Sequence, residues 1–76
     1  MLEMLKRIIA DRANCDMLDV SLESKFEDLI PDGEEREAAM VYITLDAEDA
    51  FDVELPPEAE CATTVKELLA IIRSVM

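Results

Sequence analysis

Residues 27–50 read EDLIPDGEEREAAMVYITLDAEDA. Leu29-Ile30-Pro31 closes an apolar step, and Asp32-Gly33 has the composition of a turn. Asp32 is an acceptor side chain followed three residues later by Glu35, the pattern of a reciprocal helix N-cap. Glu34, Glu35 and Glu37 place negative charge where the positive end of a helix dipole would lie. The stretch therefore predicts a helix running from this turn to about Ala50. Its apolar stripe is expected at Ala38, Val41, Tyr42 and Leu45, with Ile43 and Ala47 beside it. From Glu27 to Glu37 there is no Ser, Thr, Cys, His or Lys, so this helix start offers no nucleophile.

On the N-terminal side, Leu2, Leu5, Ile8 and Ile9 recur at helical spacing with charges between them, which predicts an amphipathic helix over 2–13 that fades near Asn14. Residues 16–31 keep no period. Met17, Leu18, Val20, Leu22, Phe26, Leu29 and Ile30 recur irregularly, and a long ordered loop pinning apolar residues over a core is expected. On the C-terminal side, Phe51–Leu55 alternates apolar and acidic residues. A single strand has nothing to pair with, so an extended link is expected, ended by Pro56-Pro57. Pro57 suits the first turn of a short helix through about Cys61. Thr64-Val65-Lys66-Glu67 is a second capping box. The helix it opens carries Val65, Leu68, Leu69 and Ile72 on one face, extended by Ile71 and Val75. The expected fold is all-α: one domain over residues 1–76, with three main helices, one short helix and a long loop after the first.

The chain has 76 residues and a net charge of -12. A chain this short buries roughly 60% of its unfolded surface, which leaves room for one small core. From Phe26 to Ala62 there are thirteen acids and one base, Arg36, while the flanks hold six acids and six bases. The whole excess lies in the middle. Such a field repels nucleic acid and anionic membranes and steers the chain toward basic patches on other proteins. A monomer is expected. MLEMLKRIIADR at the start is neither an export signal nor a membrane span, so the cytoplasm is the expected compartment. Cys15 and Cys61 do not make a disulfide framework and are expected as free, core or half-buried thiols. With no His and no glycine-rich phosphate loop, no enzyme chemistry is expected. Asp46–Glu54 spaces its carboxylates alternately, yet Phe51 and Pro57 stand where a calcium loop needs its turn Gly and terminal Glu. Weak, general cation binding is the expectation there, with no specific metal site.

Three landmarks, in order, carry a family resemblance. Lys25-Phe26-Glu27-Asp28-Leu29 resembles the SFxEDL stretch that precedes the second helix of acyl carrier proteins. Ala50-Phe51-Asp52-Val53-Glu54-Leu55-Pro56 resembles their EEFDxEIP. Cys61-Ala62-Thr63-Thr64-Val65, with Leu68 and Ile72, resembles their xITTVxxxxxYI. The resemblance covers essentially the whole chain and implies a small four-helix acyl-carrier-like bundle. It also implies partners among enzymes of fatty-acid or polyketide-type metabolism. In that family a DSL motif opens the second helix, and its Ser bears 4'-phosphopantetheine. Counting forward from Leu29 puts Gly33 at the Ser position, and counting back from Phe51 puts Glu37 there. Neither has a hydroxyl, so no cofactor is expected. Ser21, Ser24 and Thr44 are the hydroxyls that a misplaced attachment site would use. The resemblance thus implies an acyl-carrier-like module without its arm, with Glu34, Glu35, Glu37, Glu48 and Asp49 docking on basic patches. Val41, Leu45, Val65, Leu68 and Ile72 would line an acyl cleft, and would equally line an ordinary core. The alternatives are a working carrier modified at another hydroxyl, and an acidic cation-binding or decoy protein.

Overall fold

The computed structural model describes residues 1–30 and 33–76. Among the described residues four α-helices run α1 Leu2–Ala13, α2 Phe26–Leu29, α3 Glu34–Phe51 and α4 Val65–Ser74, with 3₁₀ turns at Met17–Asp19 and Pro57–Cys61. No strand forms among the described residues, and no helix among them is long and apolar enough to cross a membrane. The all-α expectation holds, and the three main helices lie where periodicity placed them. The segment expected as a long ordered loop is ordered over residues 16–30 and, beyond that expectation, contains helical turns. These are a 3₁₀ turn and the single-turn helix α2, whose brevity leaves only four residues to show a period.

Each main helix ends for a local reason. Asn14 closes α1 in the left-handed conformation at φ 58°, and its N–H reaches the Ala10 carbonyl. Asp52 does the same for α3 at φ 54°, bonding the Glu48 carbonyl. Asn and Asp are the non-glycine residues that best tolerate this region. At the start of α3 the N-cap is Gly33, which has no capping side chain. The proposed Asp32 cap lies outside the described residues.

The core joins Leu5, Ile9 and Ala10 of α1, Met40, Ile43 and Ala47 of α3, Ala59, and Val65, Leu68, Leu69 and Ile72 of α4. Val20, Phe26 and Ile30 enter from the connecting segment and are buried, as expected. Beyond α4, Val75 is exposed, so it does not extend the helix's buried face. The segment before α2 is sutured to the start of α4. Phe26 N–H donates to Thr63 O at 3.0 Å, Val65 N–H to Ser24 O at 3.1 Å, and Lys66 N–H to Leu22 O at 3.0 Å. Lys25 and Thr64 form an isolated antiparallel bridge there. These bonds satisfy the first two N–H groups of α4, which no intrahelical carbonyl can reach.

The third is satisfied by the capping box. Glu67 N–H donates to Thr64 Oγ1 at 3.1 Å, and Glu67 Oε2 accepts from the backbone N–H of Thr63 at 2.7 Å and of Thr64 at 3.2 Å. The Thr63 hydroxyl also donates to this carboxylate. The Thr63 hydroxyl bond, followed by the two backbone bonds, holds the Glu67 carboxyl below its usual range. A lowered folded-state pKa contributes stability that is present above the ordinary glutamate range and lost as pH falls through the lowered value. Glu67→Gln is therefore expected to be less stable than the native chain at pH 7, with the difference narrowing in acid as pH falls below the ordinary glutamate range. Urea unfolding at pH 7 and in acid checks this; an unchanged difference would mean that the charge does not matter. Thr64→Ala removes the reciprocal half of the box and is expected to cost about 1 kcal/mol.

Candidate docking face and adjoining cleft

Helix α3 carries two apolar stripes with identical spacing. One is Ala38, Val41, Tyr42, Leu45; the other is Met40, Ile43, Thr44, Ala47. The two are offset by two residues, about 200° around the helix, and so lie on opposite faces. The structure buries the second. Val41, Tyr42 and Leu45 are 37%, 50% and 51% exposed, and Ala38 is exposed as well. The expectation that the first stripe faces the core is corrected, and Val41 and Leu45 line neither core nor internal cleft. Val65, Leu68 and Ile72 are core residues.

The helix ends explain the choice. Continuing the first stripe by one turn each way reaches Glu34 and Asp49, which would be carried inward with it. Continuing the second reaches Arg36 and Phe51. Phe51 packs against the core. The Arg36 guanidinium donates to the Ile30 carbonyl at 3.4 Å and to the Glu27 carbonyl at 3.3 Å, tying α2 to the first turn of α3. Thr44 is the one buried polar residue among the described residues, and its hydroxyl donates to Val41 O at 2.8 Å. That pairing removes the cost of an unsatisfied buried hydroxyl. In the opposite orientation the Tyr42 hydroxyl would have to find a partner inside the core.

The exposed band Ala38–Leu45 spans about 10 Å at 1.5 Å per residue. Glu34, Glu35 and Glu37 stand exposed at its N-terminal end and Asp49 at the other. Of the five acids expected to dock, Glu48 differs. It is half-buried, and its Oε2 accepts from Leu55 N–H at 2.8 Å, so it orders the link after α3. One edge of the band is held by α1. Arg12 Nε donates to Asp46 Oδ2 at 2.7 Å and Arg12 Nη2 to Asp46 Oδ1 at 3.2 Å. The same guanidinium lies 4.9 Å from the centroid of the Tyr42 ring. The Asp46 hydrogen bond is the main reason that the Arg12 pKa is raised. The sequence does not signal this clip, because Arg12 and Asp46 are 34 residues apart and each has closer opposite charges in the chain.

Beside the band lies a cleft of about 430 Å³ between the start of α2, the first turns of α3 and residues 60–64. Buried Phe26 and Met40 and half-buried Ala62 give it apolar walls, and the exposed side chains of Glu27, Glu37 and Glu60 border it. Of the two positions that the resemblance would place at the carrier serine, Glu37 is here and Gly33 is at the helix cap. Gly33 has φ 93°, a conformation that side-chain-bearing residues rarely adopt.

The three hydroxyls considered as attachment sites are used within the chain. Ser24 Oγ accepts from Ser21 N–H at 2.9 Å and lies 3.2 Å from Ser21 Oγ, inside one turn. Thr44 is buried. Cys15 is half-buried, and desolvation, with Asp19 and Asp16 nearby, pushes its thiol pKa up. Cys61 is exposed at the cleft, contrary to the expectation of a core or half-buried thiol; the 3₁₀ turn that holds it buries only Ala59. Among the described residues no three acidic, His or Cys side chains are grouped as a metal site requires. The Asp46–Glu54 carboxylates lie partly on a helix, where Asp46 and Glu48 are held by bonds within the chain. Compared with models of known protein families, the chain matches none, and no curated protein matches it.

Proposed function

We propose that this chain is an acyl-carrier-like acidic module without a phosphopantetheine arm, which works by docking α3 on basic patches of acyl-processing enzymes. The observation that carries this reading is the outward face of α3. An apolar band that could have been buried is exposed between Glu34, Glu35 and Glu37 at one end and Asp49 at the other. Exposed apolar area rimmed by charge is characteristic of interaction surfaces. The carboxylates would speed association and set orientation, while the band would supply contact area. The class of partner comes from the resemblance at Lys25–Leu29, Ala50–Pro56 and Cys61–Val65. The absence of a hydroxyl at Gly33 and Glu37 argues against the arm, and the reading assigns no catalysis to any residue.

Intact mass tests the armless half of this reading. The protein is incubated with coenzyme A and a promiscuous phosphopantetheinyl transferase, beside an ordinary carrier protein. The control is expected to gain one phosphopantetheine and this chain none. A single addition would make it a working carrier, and peptide mapping would then show whether Ser21, Ser24 or Thr44 bears the group.

A further inference from the structure

We infer that the cleft between α2, the first turns of α3 and residues 60–64 receives one bulky apolar side chain of the docking partner, presented between basic residues. This inference rests on the docking reading above and adds to it an anchor site. The cleft volume of about 430 Å³ is at the lower end of the roughly 300–1,000 Å³ of small-ligand pockets. That is ample for one aromatic side chain. Phe26 and Met40 supply its apolar walls. Met is unbranched and polarizable, and so adapts to an inserted ring. The cleft mouth adjoins the outward face through Glu37, which borders the cleft and lies four residues before Val41, on the same side of α3. A partner covering α3 therefore also covers the cleft mouth.

The charges select the occupant. Glu27, Glu37 and Glu60 border the cleft and form no ion pair among the described residues. Lys25 and Arg36 border it too, but the Arg36 guanidinium is turned toward the Glu27 and Ile30 carbonyls. Three carboxylates against two bases, of which only Arg36 lies within the 26–62 segment that carries the chain's whole excess charge of -12, disfavour an anionic guest and favour a basic one. An apolar anchor in a pocket ringed by polar contacts is also the usual form of an interface hot spot.

The test uses the full isotope-labelled chain and two synthetic helical peptides. Both carry a turn of lysines on each side of one central position, which is Trp in one and Gln in the other. At low ionic strength the Trp peptide is expected to bind at least about tenfold more tightly, with the largest amide shifts at Met40, Ala62 and Thr63. Ala62→Phe, which fills the cleft from a half-buried position, is expected to reduce the Trp peptide to the affinity of the Gln peptide without lowering the melting temperature. Equal affinities, with shifts confined to the outward face of α3, would overturn the anchor site and leave the docking reading standing. If neither peptide binds, the docking reading falls and the anchor site with it. If a neutral medium-chain alcohol shifts the Met40 and Ala62 amides and the Trp peptide does not displace it, the cleft is a small-molecule site and the inference is overturned.

Discussion

Ile43→Asp is expected to unfold this protein, whereas Leu45→Asp, two residues further along the same helix, leaves it folded. Both substitutions replace an aliphatic side chain in α3 by a carboxylate. Ile43 has no exposed surface, and Leu45 is 51% exposed. An aspartate at 43 has no cation to meet in a core of aliphatic and aromatic side chains. It must either ionise unpaired or stay protonated at a cost of several kcal/mol, with the packing of Ile43 lost besides. The total stability of a 76-residue domain is roughly 4–11 kcal/mol at about 0.05–0.15 kcal/mol per residue, so most of it is removed. The surface change at 45 is expected to cost within about 0.5 kcal/mol, but it interrupts the apolar band and should abolish docking. Far-UV circular dichroism and urea unfolding of the two variants decide the matter. If Leu45→Asp is the variant that unfolds, α3 is rotated by half a turn from the orientation described and the docking face is lost with it.

Phe26→Ala is expected to cost about 3–5 kcal/mol, the range for a large aromatic removed from a core. Phe26 is 2% exposed. It stands where three elements meet: its N–H is bonded to Thr63 O, it opens α2, and it walls the cleft. Truncation merges its space with the cleft, so the neighbours cannot close over it without moving α2 or residues 60–64. Phe26→Leu keeps most of the volume and is expected to lose less than half as much. Urea unfolding midpoints of the native chain and both variants measure this. A native midpoint for Phe26→Ala would mean that the segment before α2 does not seal the core. With the stability of so small a chain, the predicted loss leaves the alanine variant largely unfolded at 37 °C.

The exposed face of α3 was the part of the candidate site least legible in the sequence. Residues 38–45 offer two apolar stripes with the same spacing, and periodicity cannot rank them. A signal was present one turn further out, where Glu34 and Asp49 extend one stripe and Arg36 and Phe51 the other. The carboxylates at 34, 35, 37 and 49 were legible as surface groups because charge belongs in water unless it is paired. Glu48 was not, since its bond to Leu55 N–H depends on the chain turning at Asp52.

By itself the sequence determined the positions of α1, α3 and α4, the capping box at Thr64 and Glu67, the buried face of α4 and the concentration of charge in the middle. These follow from interactions among residues a few positions apart, which the chain order states directly. It also determined that no hydroxyl stands at Gly33 or Glu37. Tertiary structure decided which of two equally spaced stripes of α3 faces inward, and it alone decided the suture of residues 22–26 to 63–66, the Arg12 clip on Tyr42 and Asp46, and the cleft. Each of these joins residues distant in the chain, and each depends on the shape that the other elements leave for it. A helix can bury either of two equal faces; the choice lies in what meets its ends.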